Sequence, residues 1–171
     1  MRIAIGSDHA GYLLKETIGQ WLREHGHDVT DVGTYSEDRV DYPDYGMRVG
    51  MAVGTGEVDR GIAVCGSGQG ICMAANKVAG VRGGVVRDIE DATIIRRHND
   101  ANVACFGERF TTPEIALDAL KVFLETDATA AEVAATLNRI GLEVEGVEDP
   151  AEKLKGFAIA KVLTNCSSAK M

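Results

Sequence analysis

The chain has 171 residues, of which 45% are hydrophobic and 26% charged, and its formal net charge is −8. This composition predicts an ordinary globular protein with one main domain and excludes a disordered or fibrous chain. The acidic balance argues against nucleic acid or an anionic membrane as a partner, because both select basic surfaces.

Short β-branched runs alternate with helical periodicity as far as about residue 125. The predicted strands cover residues 2–6, 28–33, 61–65, 81–86 and 102–107. The predicted helices cover residues 11–24, a segment starting near Pro43, and residues 71–78, 88–98 and 113–124. This alternation predicts an α/β, three-layer Rossmann-like fold, with a five-stranded parallel sheet and helices on both faces. After Thr126 the sequence becomes alanine-rich, which predicts a domain of residues 1–125 and a C-terminal helical extension of residues 126–171.

Targeting and redox features are sparse. The N-terminal residues MRIAIGSDHAG lack the apolar region of a secretory signal, and no apolar run approaches the ~18 residues of a membrane span. The cytoplasm is therefore the expected compartment. The four cysteines, Cys65, Cys72, Cys105 and Cys166, show no CxxC pairing or disulfide framework, so reduced thiols are expected. Cys72 and Cys105 have the character of inert core residues. With only four histidines, no metal cluster is expected.

Three segments carry residues suited to chemistry. Ligands of a parallel α/β sheet bind beyond the carboxyl ends of the strands, and we assign SDHAG at 7–11, CGSGQG at 65–70 and RRHNDANV at 96–103 to that rim. The glycines of CGSGQG free backbone N–H groups to point at a phosphate or an enediolate. A purely structural turn is an equal alternative, because the segment matches neither the dinucleotide fingerprint nor the P-loop.

Individual side chains on these segments each have two interpretations. Cys65 is either a thiolate base or a small buried hydrophobic residue. His9 and His98 are either proton shuttles or solvated loop residues. Asp8 is either part of a site or the N-cap of the following helix. Tyr42 is by default a surface residue.

Four blocks of sequence, taken in order, carry a resemblance to a known family. GSDHAGYLLKE, DVGTYSEDRVDYPDY, GIAVCGSGQGICMAANKVAGVR and RRHNDANVACFGER closely resemble the type B ribose-5-phosphate isomerase family, which includes galactose-6-phosphate isomerase subunits. The resemblance implies an aldose–ketose isomerase that interconverts ribose 5-phosphate and ribulose 5-phosphate, or a related sugar or sugar phosphate. The implied steps are ring opening and proton transfer between C2 and C1 through an enediolate. No cofactor and no metal are implied.

The resemblance also implies a role for each matched residue. Cys65 is the implied base, and His98 is implied to open the sugar ring. Asp8 is implied either to assist that step or to bind sugar hydroxyls, and Ser67 to assist proton movement. The implied substrate-binding residues are His9 and Arg109 at the phosphate, Tyr42 and Asn99 at the sugar, and the amides of Gly66, Ser67, Gly68 and Gly70 at the enediolate. Family members share active sites between subunits, so a homodimer or homotetramer is implied.

The sequence departs from the family beyond Leu124. Members usually carry Gly-Gly-Arg-His and a further arginine that reach a neighbouring subunit's phosphate, whereas this chain reads TDATAAEVAATLNRI. Arg139, Lys153 or Lys155 are candidate substitutes, and a relaxed requirement for phosphate is the alternative. Residues 126–163 instead resemble the extreme N-terminus of the bacterial phenylalanyl-tRNA synthetase beta chain. That part lacks the synthetase's catalytic and tRNA-binding regions, so it indicates an acquired tail rather than aminoacylation.

Two functions of other classes stay open. The chain is alternatively a sugar-phosphate or nucleotide sensor that uses the glycine loop for binding only, or a non-catalytic subunit of a hetero-oligomer. The presence of Cys65, His98 and Asp8 favours chemistry, because a sensor needs no base.

Overall fold

Five parallel strands form one sheet in the computed structural model, which describes residues 1–124. The strands are β1 Arg2–Ser7, β2 Asp28–Asp31, β3 Arg60–Cys65, β4 Gly83–Val85 and β5 Val103–Gly107. Their order across the sheet is β2-β1-β3-β5-β4. The predicted α/β fold is confirmed. The predicted extension of residues 126–171 lies outside the described residues and stays a prediction.

Five helices cover the two faces of this sheet. They are α1 Tyr12–Glu24, α2 Tyr42–Gly54, α3 Gln69–Ala75, α4 Ile89–Asn99 and α5 Pro113–Leu124. Helices α1, α4 and α5 share one buried core with the sheet, and α2 and α3 share the other. In α1, Leu14, Ile18 and Leu22 recur every four residues and are each at most 2% exposed. Burial at this level stabilises the fold by about 1.5–3 kcal/mol for each side chain. Within residues 1–124, no helix is long and apolar enough to cross a membrane.

Three predicted elements end earlier than their sequence pattern suggests. β2 stops at Asp31 rather than residue 33, because the Asp31 carboxylate accepts the Gly33 N–H at 2.8 Å and turns the chain. α3 stops at Ala75 rather than residue 78, where the Asn76 side chain donates to the Cys72 carbonyl of the helix at 3.0 Å and also pairs with the Gly83 backbone at 2.8 and 3.0 Å. β4 contains only three residues.

A buried lysine ties α1 to the end of β2. Lys15 is 1% exposed, and its Nζ lies 2.6 Å from Asp31 Oδ2 and 2.7 Å from Glu16 Oε1. Burial acts to lower the pKa of Lys15, but hydrogen bonds to the two carboxylates outweigh it and raise that pKa above its usual value. Lys15 therefore stays charged inside the protein and holds the Asp31 carboxylate, which turns the chain at the end of β2.

The strand order creates a crevice between β1 and β3. The chain leaves β1 for β2 on one side and later enters β3 on the other, so the connections diverge at the carboxyl ends of these two neighbours. Such a switch point is where open α/β sheets bind ligands. Asp8 follows β1 directly and Cys65 ends β3, so both residues lie at this crevice.

Candidate active site

The Cys65 thiol lies under the glycine loop. Its side chain is 4% exposed, and Sγ accepts a hydrogen bond from the Gly68 N–H at 3.1 Å. Gly68 has a φ of +76°, a left-handed conformation that favours glycine, and it folds the loop back over the sulfur. The Gly68 N–H therefore fixes the position of the sulfur, which is the atom that would accept a proton if Cys65 acts as the base. The Gly68 N–H thus donates to the Cys65 sulfur in this structure, whereas the sequence analysis predicted that it would donate to an enediolate.

Tyr42 packs on the same loop. It begins α2, it is 42% exposed, and its ring lies directly against Gly70. A Cβ at residue 70 would lie 2.8 Å from ring atoms Cε2 and Cζ, so only glycine leaves the ring in place. Ser67 is exposed at the tip of the loop, where its Oγ accepts the Gln69 N–H at 3.4 Å. The structure therefore brings Tyr42, Ser67 and the glycines together.

Asp8 and His9 line the β1 side of the crevice. Asp8 Oδ1 accepts the Ala10 N–H at 3.0 Å at the start of a short 3-10 helix, so the capping alternative is confirmed. Burial raises the pKa of the Asp8 carboxyl, while the Ala10 N–H and the charges of His9 and Arg109 only partly oppose it. His9 Nδ1 lies 3.0 Å from the Val40 carbonyl oxygen and 3.2 Å from the Val40 nitrogen. In either tautomer the Val40 peptide occupies Nδ1 and leaves Nε2 for another partner.

Arg109 reaches the crevice from the end of β5. Its backbone N–H donates to the Gly66 carbonyl at 3.2 Å, and its guanidinium lies over the Gly66 Cα, because a Cβ there would lie 3.2 Å from Cζ and Nε. The side chain is exposed and available to an anion.

Glu108 is a positioning residue that the sequence analysis missed. Its Oε2 accepts the Leu14 N–H at 2.9 Å, and its own N–H donates to the Cys65 carbonyl at 3.0 Å. Glu108 thereby joins the first turn of α1 to the end of β3. It lies inside the block RRHNDANVACFGER, but nothing in a single sequence shows which of those residues faces α1.

His98 and Asn99 are not on the rim where the sequence analysis placed them. Both lie in the last turn of α4, and both are exposed. A helix that joins two parallel strands returns from the carboxyl edge of the sheet to its amino edge, so the end of α4 leads into the amino end of β5. Within one chain, His98 and Asn99 therefore lie toward the opposite edge of the sheet from Cys65.

The groups that do share the crevice form one chemical set: a buried thiol, a carboxyl with a raised pKa, an imidazole and a guanidinium. Such a set can accept a proton from carbon and hold an anion beside it. In residues 1–124, no three His, Cys, Asp or Glu side chains are grouped so as to bind a metal ion.

Comparisons with known proteins concern the family of the chain. A family described as Ribose/Galactose Isomerase matches residues 3–140, which extends past the predicted boundary at residue 125. The chain is 49% identical to ribose-5-phosphate isomerase B of Escherichia coli strain K12 over 115 residues, which is 67% of this chain and 77% of that protein. It is 36% identical to D-erythrulose-4-phosphate isomerase of Pectobacterium atrosepticum over 145 residues, covering 82% and 93% of the two chains.

Solved structures give the same result. The structure of Clostridium thermocellum ribose-5-phosphate isomerase B superposes with a TM-score of 0.73 at 45% identity, covering 82% of this chain and 95% of that one. Mycoplasma genitalium ribose-5-phosphate isomerase B, solved with bound ribulose-5-phosphate, superposes with a TM-score of 0.71 at 35% identity, covering 81% and 93%.

Proposed function

Because the chain belongs to the ribose/galactose isomerase family, we propose that it interconverts ribose 5-phosphate and ribulose 5-phosphate, or a related aldose and ketose. The single observation that carries the proposal is the Cys65 thiol, which is held at the carboxyl end of β3 with the Gly68 N–H on its sulfur. A base fixed beside an anion-binding crevice is what proton transfer between two carbons requires.

The proton transfer is proposed to proceed through Cys65 in two steps. The Cys65 thiolate takes the C2 proton of the open-chain aldose, and the electron pair moves through C1 to leave the enediolate charge on O1. The Cys65 thiol then returns the proton to C1, while the proton on O2 passes to O1, which leaves a ketone at C2. The Gly66, Ser67 and Gly70 amides are proposed to stabilise the enediolate, and Ser67 Oγ is proposed to assist the transfer between oxygens.

The crevice residues are proposed to bind and open the cyclic substrate. His9 and Arg109 hold the phosphate, and Tyr42 holds the sugar. Asp8 assists ring opening, because its raised pKa keeps a larger share of the carboxyl in the acid form that can protonate the ring oxygen. The phosphate ester and the reduced thiol both fit a cytoplasmic enzyme.

His98 and Asn99 are proposed to act on a second copy of the chain. The topology of α4 supports this proposal, since its last turn lies toward the opposite edge of the sheet from the Cys65 crevice of the same chain. A homodimer or homotetramer would deliver them to a partner's Cys65. Mixing inactive Cys65→Ala and His98→Ala chains tests the sharing, because random exchange would restore about a quarter of the sites. A mixture that stays inactive after verified exchange argues against shared sites.

The activity itself is tested by kcat/KM for ribose 5-phosphate, unphosphorylated ribose and allose. Replacing Cys65 with alanine is expected to lower kcat by about 10²–10⁴-fold, the usual contribution of a general base. Cys72→Ala is the matched control, because that thiol lies in the same core but takes no part in the proposed steps. Comparable rates on free sugars would mean that phosphate is not required. No turnover of any of the three would favour the sensor function instead.

A further inference from the structure

The end of β5 lies directly against the glycine loop. Cys65 of β3 pairs in register with Gly107 of β5, and beyond this pair the Glu108 N–H donates to the Cys65 carbonyl at 3.0 Å. The Arg109 N–H donates to the Gly66 carbonyl at 3.2 Å. The two chain segments therefore stay together past the ends of their strands, and the glycine loop is attached to both strands.

Gly107 meets the loop backbone to backbone. A Cβ at residue 107 would lie 2.5 Å from the Ser67 carbonyl carbon, 2.7 Å from the Ser67 carbonyl oxygen and 3.0 Å from the Gly68 nitrogen. Conversely, a Cβ at residue 68 would lie 3.1 Å from the Gly107 nitrogen. These neighbours are main-chain atoms, which cannot rotate away as the end of a side chain can. The absence of a side chain at residue 107 therefore lets the peptide between Ser67 and Gly68 pack on the end of β5.

A side chain at residue 107 would move the loop rather than the strand. β5 lies inside the sheet, where it pairs with β3 on one side and β4 on the other. The Gly107 carbonyl also accepts the N–H groups of Phe110 and Thr111 at 2.9 and 3.0 Å, which fixes the turn after the strand. Ser67, by contrast, is exposed at the tip of the loop. Because ordinary van der Waals contact begins at 3.4 Å, the Ser67 peptide would have to shift by about 1 Å.

We propose that Gly107 is a positioning residue for the proposed base. Having no side chain, it leaves the Gly68 peptide where its N–H donates to Cys65 Sγ at 3.1 Å. Cys65 ends β3, so its sulfur would stay in place while a shifted loop carries the N–H away. The proposal rests on the proposed function of Cys65.

The expected effect of Gly107→Ala is a loss in kcat. A displacement of about 1 Å near the reacting groups costs up to roughly 10²-fold in rate, so kcat should fall by about tenfold or more. KM should stay nearly unchanged, because the displaced peptide is proposed to act on the base and the enediolate and not on the bound ground state.

A single labelled peptide reports on the N–H bond without any turnover. Ser67 is the only serine that precedes a glycine in the sequence, so cell-free synthesis of the full chain with ¹³C-carbonyl serine and ¹⁵N-glycine gives one HNCO signal, that of the Gly68 N–H. Cys65→Ala removes the acceptor and should make this N–H exchange with solvent about tenfold faster than in wild type. Gly107→Ala should speed the exchange by a similar factor while Cys65 is still present.

Gly84→Ala is the matched control. It also adds a methyl group to a strand glycine, and its Cβ would lie 2.8 Å from the nearest atom, but that atom belongs to the Ile95 side chain. Gly84 lies in β4, which is not paired with β3. A general loss of stability should appear in both variants, whereas the fall in kcat and the faster Gly68 exchange should appear in Gly107→Ala alone.

Slow Gly68 exchange that persists in folded Gly107→Ala, or the same fall in kcat in Gly84→Ala, would overturn the proposal. A wild-type kcat despite fast Gly68 exchange would also overturn it. Should Gly107→Ala not fold, the wild-type spectrum decides, because the Gly68 N–H should show a nuclear Overhauser effect to the Gly107 α protons, and its absence would overturn the packing. A wild-type chain without isomerase activity would instead refute the proposed function, while the exchange data would still show whether Gly107 holds the Gly68 N–H.

Discussion

Replacing Gly70 with alanine should impair substrate binding while leaving the fold nearly as stable. The added Cβ would lie 2.8 Å from the Tyr42 ring, so the ring has to move. The ring is the far end of a half-exposed side chain, and its displacement costs about 0.5–1.5 kcal/mol. Alanine in place of glycine within α3 stabilises the helix by about 1 kcal/mol. The two effects nearly cancel, so the free energy of unfolding should change by less than about 1 kcal/mol.

The effect on activity has a separate size. A displaced Tyr42 would lose its proposed contact with the sugar. One hydrogen bond contributes about 0.5–1.5 kcal/mol, which corresponds to a fall in kcat/KM of up to roughly tenfold. The loss should appear mainly in KM, because the role proposed for Tyr42 is to bind the sugar and not to transfer a proton. Steady-state kinetics and urea unfolding measure the two quantities on the same protein preparation.

A double-mutant cycle makes this prediction sharper. Gly70→Ala introduced into a Tyr42→Ala background should cause little further loss, since the ring that it displaces is already gone. Gly19→Ala is the matched control, because it adds the same methyl to a helical glycine in α1, where the nearest atom is the flexible end of Arg23 at 3.3 Å. Additive losses in the double variant, or an unchanged KM in Gly70→Ala, would refute the packing of Tyr42 on the loop as the cause.

Three further predictions concern the charges that hold the crevice. Protonation of Asp8 favours the folded state, since burial raises its pKa, so its ionisation reduces stability as pH rises through the folded pKa. Asp8→Asn keeps an oxygen that can cap the helix, so it should be more stable than wild type at pH 7 but not at pH 3. A urea midpoint lower than that of wild type at pH 7 would contradict this. Glu108→Ala should lower the free energy of unfolding by about 1–3 kcal/mol because the Leu14 N–H loses its acceptor, and Glu108→Gln should recover most of it. Equal losses in the two Glu108 variants would count against that bond. Lys15→Met should lower the free energy of unfolding by about 1–3 kcal/mol. This loss is smaller than the loss on breaking a fully buried ion pair, because Asp31 and Glu16 both reach solvent. A stabilised Lys15→Met protein would be the contrary result.

The layers of the fold were predictable from the sequence because burial repeats along the chain. The spacing of Leu14, Ile18 and Leu22 predicts α1, and the β-branched runs predict strands. The ends of elements were less predictable, since they depend on partners distant in sequence. The Asn76 side chain binds the backbone of Gly83 at the end of α3, and no local pattern contains that information.

The candidate site was predictable in its residue types but not in its contacts. The packing of Tyr42 on Gly70 joins positions that no periodicity connects, and it follows only from the way α2 crosses the sheet. The misplacement of His98 had a different origin, because the direction of α4 between two parallel strands already sends its last turn to the amino edge. Topology alone could have separated His98 from Cys65.

The most direct test of proton transfer through Cys65 is ¹H NMR of ribose 5-phosphate with the enzyme in D₂O. Wild type should form ribulose 5-phosphate and, at equilibrium, exchange the C2 proton of the aldose for deuterium. Cys65→Ala, with an unchanged circular dichroism spectrum, should do both at least about 10²-fold more slowly, while Cys72→Ala should behave as wild type. Deuterium exchange at C2 that continues near the wild-type rate in Cys65→Ala would show that another group is the base.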